Sequence, residues 1–259
     1  MITSVKVDVR RALIEERVLG AGEVEFGALA SELGVSEMTI RRDIDVLEER
    51  GVLRRVAGGA IAFAGRGYEP PYRARALAAV GEKQNIAAAI VGLLHRRETV
   101  IVDSGSSALA VARAIRGRAL NLTVVTPSLL AALELADDPG TDVVLLGGRL
   151  RQGELSLIGS DTLESLGRYN CDTFIMGIAG IDAAKGASDY HQEEAAVKRA
   201  AIGAANRVIV AADASKLGSV YLARVTPLTA LDILVTDGAA DHPTILAAKE
   251  AGVEVVTVG

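Results

Sequence analysis

The stretch that decides the fold of the first part of the chain is GVSEMTIRRDIDVLEERGVLRRVAGG, residues 34–59. It predicts a turn, a helix and a small hairpin. Ser36 suits the start of the helix, because its hydroxyl can accept a hydrogen bond from a free N–H of the first turn. Gly51 suits the end, because glycine adopts the left-handed conformation at no steric cost. The helix has a short aliphatic face made of Ile40, Ile44 and Leu47.

The first turns of this helix carry side chains that suit contact with DNA. Arginine can bind guanine or phosphate, and threonine or methionine can contact a thymine methyl group in the major groove. The alternative is an ordinary amphipathic surface helix whose charged face is solvated. The candidate DNA contacts of the helix are Ser36, Met38, Thr39, Arg41 and Arg42.

A basic hairpin follows the helix and favours the DNA interpretation. Residues 52–56 form a strand-like run that contains Arg54 and Arg55, and Gly58-Gly59 permits a tight turn. A basic hairpin after a recognition helix is a wing that lies against phosphates. Two helices at 6–19 and 28–33, and a brief strand at 24–26 paired with the wing, complete a predicted winged helix-turn-helix domain.

Three runs together resemble the signature of the DeoR family of bacterial transcriptional regulators. They are VSEMTIRRDI at 35–44, LEERG at 47–51 and RVAGGA at 55–60. One departure is Ala57, at a position where the family usually has histidine. The resemblance implies a regulator, usually a repressor, that an effector releases from DNA.

Composition limits the classes of protein that fit. Half of the residues are hydrophobic but only 3% are aromatic, so a large core must consist of Ala, Val, Leu and Ile. No apolar run approaches the length of a membrane span, and no signal peptide is expected. Cys171 is the only cysteine, which excludes an intramolecular disulfide. We expect a cytoplasmic protein.

Net charge gives no support to DNA binding. It is −5 for the whole chain, and the first 60 residues contain nine basic and eleven acidic side chains. Because affinity for DNA needs local positive potential, that potential must come from the way Arg41, Arg42, Arg54 and Arg55 cluster in space.

From residue 81 onward, aliphatic strands alternate with helices, which predicts a parallel sheet covered on both faces. The fold class is therefore α/β: a winged helix-turn-helix domain at 1–60, a linker at 61–80 marked by Pro70-Pro71, and a mainly parallel effector-binding and oligomerisation domain at 81–259. The predicted strands are 100–102, 122–126, 143–146, 173–176, 208–211, 233–235 and 254–256, and the helices are 82–94, 107–115, 129–135 and 194–205.

Polar clusters follow several predicted strands, where ligands bind in open α/β sheets. A hydroxyl-rich loop that leads into a helix makes an anion site, and carboxylates suit sugar hydroxyls, so the clusters suit a phosphorylated polyol. Asp213 and Lys216 could instead form a surface pair. The candidates are Asp103, Ser104, Gly105, Ser106, Ser107, Gly147, Gly148, Arg149, Asp182, Asp213 and Lys216.

The resemblance implies more about this domain. Effector domains of the family are similar in fold to ribose-5-phosphate isomerase and usually bind sugar phosphates, and the matching positions add Glu194 and Lys198. The family tends to have Thr, Asn and Phe where this chain has Ser107, Pro127 and Leu217. The expected partners are operator DNA, a sugar phosphate and further copies of the chain, as a dimer or tetramer, because two-fold operators need at least a dimer.

Other functions leave weaker signals. No Walker or dinucleotide fingerprint is present, and His95, His191 and His242 lack metal-ligand spacing with Cys171, so neither a metal nor a cofactor is expected. His191 could reach a ligand, although a loop histidine is usually just solvated. The alternative function is a sugar-phosphate isomerase with Asp182, Glu194 and Lys198 as acid–base groups. The favoured regulator has no catalytic residues.

Overall fold

The computed structural model describes residues 7–49, 52–62 and 68–259, and the chain divides into two compact units. The first unit is Met1–Ala78 and the second is Ala79–Gly259. Across the described residues, no helix combines the length and the apolar character that crossing a bilayer requires.

The first unit is a winged helix-turn-helix. Its strands form an antiparallel sheet in the order β1-β3-β2. Phe26, predicted in a strand, instead begins the second helix, because its ring is buried in the core of this unit. The elements are α1 (Val7–Ala21), β1 (Glu23–Glu25), α2 (Phe26–Leu33), α3 (Glu37–Glu49), β2 (Leu53–Val56), β3 (Gly59–Ala62) and α4 (Tyr72–Leu77).

The start of α3 has the cap that the sequence predicts. The Ser36 hydroxyl accepts a hydrogen bond from the Thr39 N–H at 3.2 Å. Gly51, expected at the other end, lies outside the described residues. The aliphatic face of α3 is fully buried, as predicted, with Ile40, Ile44 and Leu47 all at 0% exposure.

A buried carboxylate joins the recognition helix to the first helix. Asp43 in α3 accepts a hydrogen bond from Arg10 Nε at 2.6 Å and another from Arg11 Nε at 2.8 Å. Asp43 is 2% exposed and Arg10 is 5% exposed. A buried charge is tolerated only when it is paired, so this contact fixes how α3 lies against α1.

The stretch predicted as a linker, 61–80, contains ordered structure in this fold. It holds the end of β3 and all of α4, and α4 packs against α1. The Tyr68 hydroxyl donates to the Glu15 carboxylate. Pro71 immediately precedes α4, where a missing N–H costs nothing. The compact first unit therefore extends to Ala78.

The second unit is built on one seven-stranded sheet. All neighbouring strands are parallel, in the order β15-β14-β12-β9-β4-β5-β6. The elements are α5 (Val80–Gly92), β4 (Thr99–Val102), α6 (Ser106–Ile115), β5 (Leu122–Thr126), α7 (Leu129–Leu135), β6 (Thr141–Leu145), β7 (Arg149–Arg151), β8 (Ser156–Ile158), α8 (Ser160–Leu166), β9 (Cys171–Gly177), β10 (Gly180–Asp182), β11 (Gly186–Asp189), α9 (Gln192–Gly203), β12 (Ala205–Ala211), β13 (Ala223–Thr226), β14 (Ile233–Thr236), α10 (Pro243–Glu250) and β15 (Glu254–Thr257).

Successive residues of the central strands enter separate cores on the two faces of the sheet. Ile101 and Phe174 lie in one core, whereas Val102 and Ile175 lie in the other. This confirms the parallel sheet with both faces covered. The sequence analysis missed the short helices α8 and α10, which have seven and eight residues. It also missed the two small antiparallel sheets, β7-β8 and β10-β11-β13, because their strands are only three or four residues long.

Replacing Asp43 with alanine tests the α1–α3 contact. The change leaves a buried arginine without its carboxylate, so we expect a loss of about 3 kcal/mol or more in the stability of the first unit. For a unit of this size, that is a fall of about 10 °C or more in its unfolding temperature, measured by scanning calorimetry.

Asp45→Ala is the matched control. Asp45 is also on α3, and it pairs with Arg55 of β2 at 2.7 Å on the surface. An exposed pair contributes about 1 kcal/mol or less. Equal falls in unfolding temperature for the two variants would contradict a special role for Asp43.

Candidate functional site

The order of strands in the large sheet marks one position where a ligand can enter. From β4 the chain builds outward through β5 and β6, then returns to the other side of β4 and continues through β9, β12, β14 and β15. The topology therefore reverses between β4 and β9. In open α/β sheets, ligands bind at the carboxyl ends of the strands at such a switch point.

A buried ion pair occupies this switch point. Asp103, directly after β4, accepts hydrogen bonds from the Lys198 ammonium and from the Gly177 N–H, the latter at 3.0 Å. Lys198 Nζ also donates to the Gly177 carbonyl at 2.9 Å and lies 3.4 Å from Asp189 Oδ2. Asp103 is 2% exposed and Lys198 is 3% exposed. The ends of β4 and β9 are thus tied together by one lysine from α9.

A second set of polar contacts surrounds Glu194, one turn before Lys198 on α9. Glu194 Oε1 accepts a hydrogen bond from Ser156 Oγ at 2.6 Å and lies 3.0 Å from Arg151 Nη1. Arg151 and Ser156 belong to the β7–β8 hairpin. The Leu157 N–H of that hairpin donates to the Pro127 carbonyl at 2.7 Å, which holds the hairpin beside the end of β5.

Burial and neighbouring charges act in opposite directions on the groups of this network. Burial raises the pKa of the Asp103 carboxyl, and the Lys198 ammonium beside it opposes that rise. Burial acts to lower the pKa of Lys198, but the carboxylates of Asp103, Asp189 and Glu194 outweigh it and raise that pKa above its ordinary value. Burial acts to raise the pKa of Glu194, yet Lys198, Ser156 and Arg151 together lower it. The network therefore combines three carboxylates with two cations.

The start of α6 supplies free N–H groups at the same switch point. Gly105 has φ +95° and precedes the helix, and the Leu109 N–H donates to its carbonyl at 3.0 Å. The first N–H groups of a helix have no partner within it and attract anions. The hydroxyl side chains of Ser106 and Ser107 are partly exposed there. The predicted loop 103–107 thus brings a carboxylate and the N-terminus of a helix together.

Gly148, but not Gly147, meets a packing requirement. Gly148 has φ +137°, and a Cβ at this position would lie 2.0 Å from Thr162 Oγ1. Thr162 Oγ1 donates to the Gly147 carbonyl at 2.8 Å. Arg149 then points to α9, where it contacts both carboxylate oxygens of Glu193 at 2.6 and 2.7 Å.

Three further predicted residues lie away from the ion pair. Asp182 Oδ1 accepts hydrogen bonds from the N–H groups of Ala184 and Lys185 and so caps the turn between β10 and β11. Asp213 follows β12, the strand beyond β9, and accepts from the Ser215 N–H at 3.1 Å. Lys216 is half-buried in the next turn. The structure gives none of the three a contact with Asp103 or Glu194.

Sequence reasoning missed some members of the network. Asp189 lies in a four-residue strand, and Arg151 and Ser156 lie in a hairpin of three-residue strands, so no apolar pattern marks them. His191 precedes α9 and is less solvated than a typical loop histidine. Its Nδ1 is buried and has no hydrogen-bond partner among the described residues.

The first unit presents the predicted DNA-binding residues of α3. Met38 is 60% exposed. Arg42 is exposed, and within the described part of the chain it has no hydrogen bond or ion pair. Thr39 Oγ1 lies 2.9 Å from Ser36 Oγ. The side chains of Met38 and Arg42 are therefore available to a partner.

Two other arginines are held over one aromatic ring. The guanidinium groups of Arg41 and Arg55 lie 4.5 and 5.7 Å from the ring centre of Phe26. Arg55 Nη1 also contacts Asp45 at 2.7 Å, and the Arg55 N–H donates to Glu48 Oε1 at 2.9 Å. These contacts brace the wing against α3 and bring two cations together, although the first 60 residues contain more acidic than basic side chains.

Family models match both units. A DeoR-like helix-turn-helix domain matches residues 10–64, and a DeoR C terminal sensor domain matches residues 78–238. The chain belongs to the DeoR family of transcriptional regulators. It is a DNA-binding regulator with a sensor domain for a small-molecule effector.

Named relatives agree with this membership. The HTH-type transcriptional repressor GlcR of Bacillus subtilis is 36% identical over 205 residues, 79% of this chain and 78% of GlcR. The glycerol-3-phosphate regulon repressor of Escherichia coli K12 is 31% identical over 224 residues, 86% of this chain and 88% of that protein. Since the family consists of regulators, the isomerase alternative is set aside.

A solved ribose 5-phosphate isomerase A from Methanocaldococcus jannaschii is similar to part of the chain. The match has a TM-score of 0.41 and 17% identity, and it covers 54% of this chain and 55% of the isomerase. The likeness concerns the fold alone and says nothing about activity.

Replacing Lys198 with methionine tests the ion pair at the switch point. The change leaves the buried Asp103 and Asp189 carboxylates unpaired, so we expect the second unit to lose about 3–5 kcal/mol of stability. Because the pKa of Lys198 is raised above its ordinary 10.5, its contribution is present below that pH and is lost only above it. Burial also raises the pKa of Asp103, and without Lys198 this carboxyl can take up a proton as the pH falls. Calorimetry should therefore show a deficit at both pH 6 and pH 9, no larger at pH 6 than at pH 9.

Arg149→Met is the control, since its pair with Glu193 is exposed and contributes about 1 kcal/mol or less. A Lys198→Met deficit that vanishes at pH 9 would show that the lysine is not charged at that pH.

Proposed function

We propose that this chain is a cytoplasmic repressor of sugar-metabolism genes, and that a sugar phosphate releases it from its operator. The observation that carries the effector assignment is the pairing, at one switch point, of an anion-attracting helix end with buried carboxylates. The names of the relatives support repression over activation: GlcR is a repressor, and the Escherichia coli protein represses a glycerol-3-phosphate regulon.

On the DNA side, Arg42 and Met38 enter the major groove. Arg42 is unpaired within the described residues and Met38 is exposed, which suits contact with base edges. The Thr39 and Ser36 hydroxyls lie at the same helix end. Arg54 on the wing binds phosphate. Arg41 and Arg55, stacked on Phe26, add positive potential at the junction of helix and wing.

On the effector side, the phosphate binds at the N-terminus of α6. The N–H groups and hydroxyls of Ser106 and Ser107 contact it, while Ser104 and Gly105 shape the loop. This position suits a dianion, because the helix dipole and the free N–H groups both favour negative charge.

The carboxylates on the other side of the crevice bind sugar hydroxyls. Asp103 and Glu194 retain acceptor capacity beyond the contacts they make within the protein. Asp213 and Lys216 follow β12, which is two places from β4 in the sheet and therefore about 10 Å away at the usual strand spacing. They contact the far end of a larger sugar. The β7–β8 hairpin closes the crevice on the side of Glu194, and it is held by Gly147, Gly148 and Arg149. Asp182 orders the turn between β10 and β11.

Lys198 acts as a positioning residue. Lys198 is 3% exposed, and its ammonium is shared by Asp103, Asp189 and the Gly177 carbonyl. It therefore has little capacity left for a phosphate, and it orients the carboxylate that meets the sugar. His191, with a buried Nδ1 that has no partner among the described residues, offers a further polar contact beside Glu193 and Glu194.

Release from DNA follows from linkage. An effector that binds the non-DNA-binding arrangement more tightly shifts the population by its differential affinity. Such couplings usually change affinity by about 5- to 150-fold. A two-fold symmetric operator requires two recognition helices, so the active species is a dimer or a tetramer.

Fluorescence anisotropy tests the proposal. A labelled duplex from the region upstream of the protein's own gene is titrated at fixed salt, with a scrambled duplex as the control. Each titration is repeated with a panel of three- to six-carbon sugar phosphates and with the unphosphorylated sugars. We expect preference for the native duplex, and loss of that preference with one phosphate but not with its parent sugar.

Binding that no phosphate alters would overturn the effector assignment while leaving the regulator in place. Tighter binding in the presence of a sugar phosphate would overturn the direction of control. Equal, weak binding to both duplexes would remove the support for this operator.

Arg42→Ala tests the recognition helix. Loss of a guanidinium contact to a base or phosphate should weaken operator binding by about 10- to 100-fold, while calorimetric titration shows unchanged effector affinity. The control is Arg73→Ala, an exposed arginine on α4 of the same unit. Equal weakening by both variants would point to general electrostatics instead of a specific contact.

Ser106→Glu tests the phosphate position. A carboxylate at this helix end should repel a phosphate and weaken effector affinity by about 10-fold or more, with operator binding retained. Ser160→Glu is the matched control, since Ser160 also follows a glycine of positive φ and begins α8. Effector affinity that survives Ser106→Glu would exclude the α6 site.

A further inference from the structure

A second cavity lies in the sensor unit, away from the switch point. It has a volume of about 500 Å³ and is lined by the turn between β10 and β11, by β13 and the loop that follows it, and by the end of α10. A cavity of this size accommodates a small metabolite. Within the described part of the chain, its lining includes neither Asp103, Lys198 nor the start of α6. We call it the β11 cavity.

Three charged residues line the β11 cavity, and their side chains are unpaired. Lys185 lies in the β10–β11 turn, Arg224 lies on β13 and Glu250 is the last residue of α10. All three are exposed, and none has a side-chain hydrogen bond or ion pair with another described residue. By contrast, the exposed Arg116 and Arg149 of the same unit are paired with carboxylates. Two cations and one carboxylate suit a ligand that carries an anionic group together with hydroxyl groups.

The two cations stand on backbone that is held in place. The Lys185 N–H donates to Asp182 Oδ1 at 2.8 Å, which orders the turn. Arg224 pairs with Ser188 of β11 in the small antiparallel sheet. The Arg224 carbonyl also accepts a hydrogen bond from Arg199 Nη1 of α9 at 2.6 Å. Ordered backbone at both positions reduces the entropy that a ligand must overcome to bind them together.

Small residues leave room in the cavity. Ala247 in α10 and Ala251 directly after that helix lie four residues apart, on the same side as Glu250. Gly186 has φ +69°, and a Cβ at this position would lie 2.3 Å from the Thr226 carbonyl oxygen. The close approach of the β10–β11 turn to β13, which forms one wall of the cavity, therefore requires glycine.

Strand β11 joins the cavity to the buried ion pair. Gly186 at its first position lines the cavity, and Asp189 at its last position lies 3.4 Å from Lys198 Nζ. The two ends of the strand are about 10 Å apart at the usual rise per residue. A second connection runs through Arg199, which follows Lys198 on α9 and contacts the Arg224 carbonyl. A ligand held by the turn and by Arg224 therefore stabilises the strand and the helix that hold the ion pair.

We infer that the β11 cavity is a second binding site, for a small hydroxylated anion, and that its occupation strengthens effector binding through β11. Lys185 and Arg224 bind the anionic group, and Glu250 accepts hydrogen bonds from the hydroxyl groups. The binding goes beyond the proposed function, whereas the coupling rests on it because it needs an effector site. A phosphate and a carboxylate both satisfy the two cations, so the test includes one of each.

Calorimetric titration of the full chain tests the binding. The probes are glycerol 3-phosphate and gluconate, with glycerol as the neutral control, and hydrogen–deuterium exchange locates each bound probe. We expect at least one anion to bind and to slow exchange at residues 184–186. Arg224→Gln and Lys185→Gln should each weaken that binding by about 10-fold or more, because each removes a charged hydrogen-bond donor.

Lys249→Gln is the matched control. Lys249 is exposed beside Glu250 but does not line the cavity, so this variant should bind the probe as the wild type does. Circular dichroism checks that every variant is folded. The site would be overturned if neither anion protects residues 184–186, if binding survives both cavity substitutions, or if Lys249→Gln weakens binding equally.

The coupling has a separate readout. The affinity for the sugar phosphate identified by anisotropy is measured with and without a saturating amount of the bound probe. We expect it to tighten by about 5-fold or more, and Arg224→Gln should remove this effect. Effector affinity that is unchanged or weaker, or a change that persists in Arg224→Gln, would overturn the coupling and leave the site intact. A chain that responds to no sugar phosphate would overturn the effector assignment and the coupling with it, whereas protection of residues 184–186 would still establish the site.

Discussion

The buried contact between Lys198 and Asp103 is the constraint on which the sensor unit depends. It joins α9 to the ends of β4 and β9 where the sheet reverses its topology. A buried pair of this kind adds little net stability over an apolar pair, but losing either partner is costly. Its consequence is geometric: the Asp103 carboxylate is held at a fixed position beside the N-terminus of α6. The effector site is proposed at that position.

The first unit uses the same physical device for a different purpose. Asp43 is buried between Arg10 and Arg11, and this fixes the recognition helix against α1. The exposed side of α3 is thereby free to carry Met38 and Arg42 outward. The acidic side chains near the wing have a structural role: Asp45 and Glu48 contact Arg55 and brace the wing. Arg42 has no hydrogen bond or ion pair among the described residues and is left available to DNA.

Sequence patterns predicted the elements with strong periodicity and missed contacts between distant residues. The cap at Ser36 and the aliphatic strands of the parallel sheet follow from local rules, and the structure confirms them. The pairing of Asp103 with Lys198 spans 95 residues and depends on the sheet order, which no local pattern encodes. Asp189, Arg151 and Ser156 lie on strands too short to give a periodic signal. Gly148 was predicted as an effector-binding residue, but the close approach of Thr162 is what requires glycine there.

Hydrogen–deuterium exchange tests the central claim most directly. The full chain is incubated with each sugar phosphate in turn, and with the parent sugar as the control. The account predicts that one phosphate slows exchange at the N–H groups of residues 106–108, and in the loop after β9, while the parent sugar does not. Protection confined to another region, such as the turn at 183–186, with none at the start of α6, would contradict it.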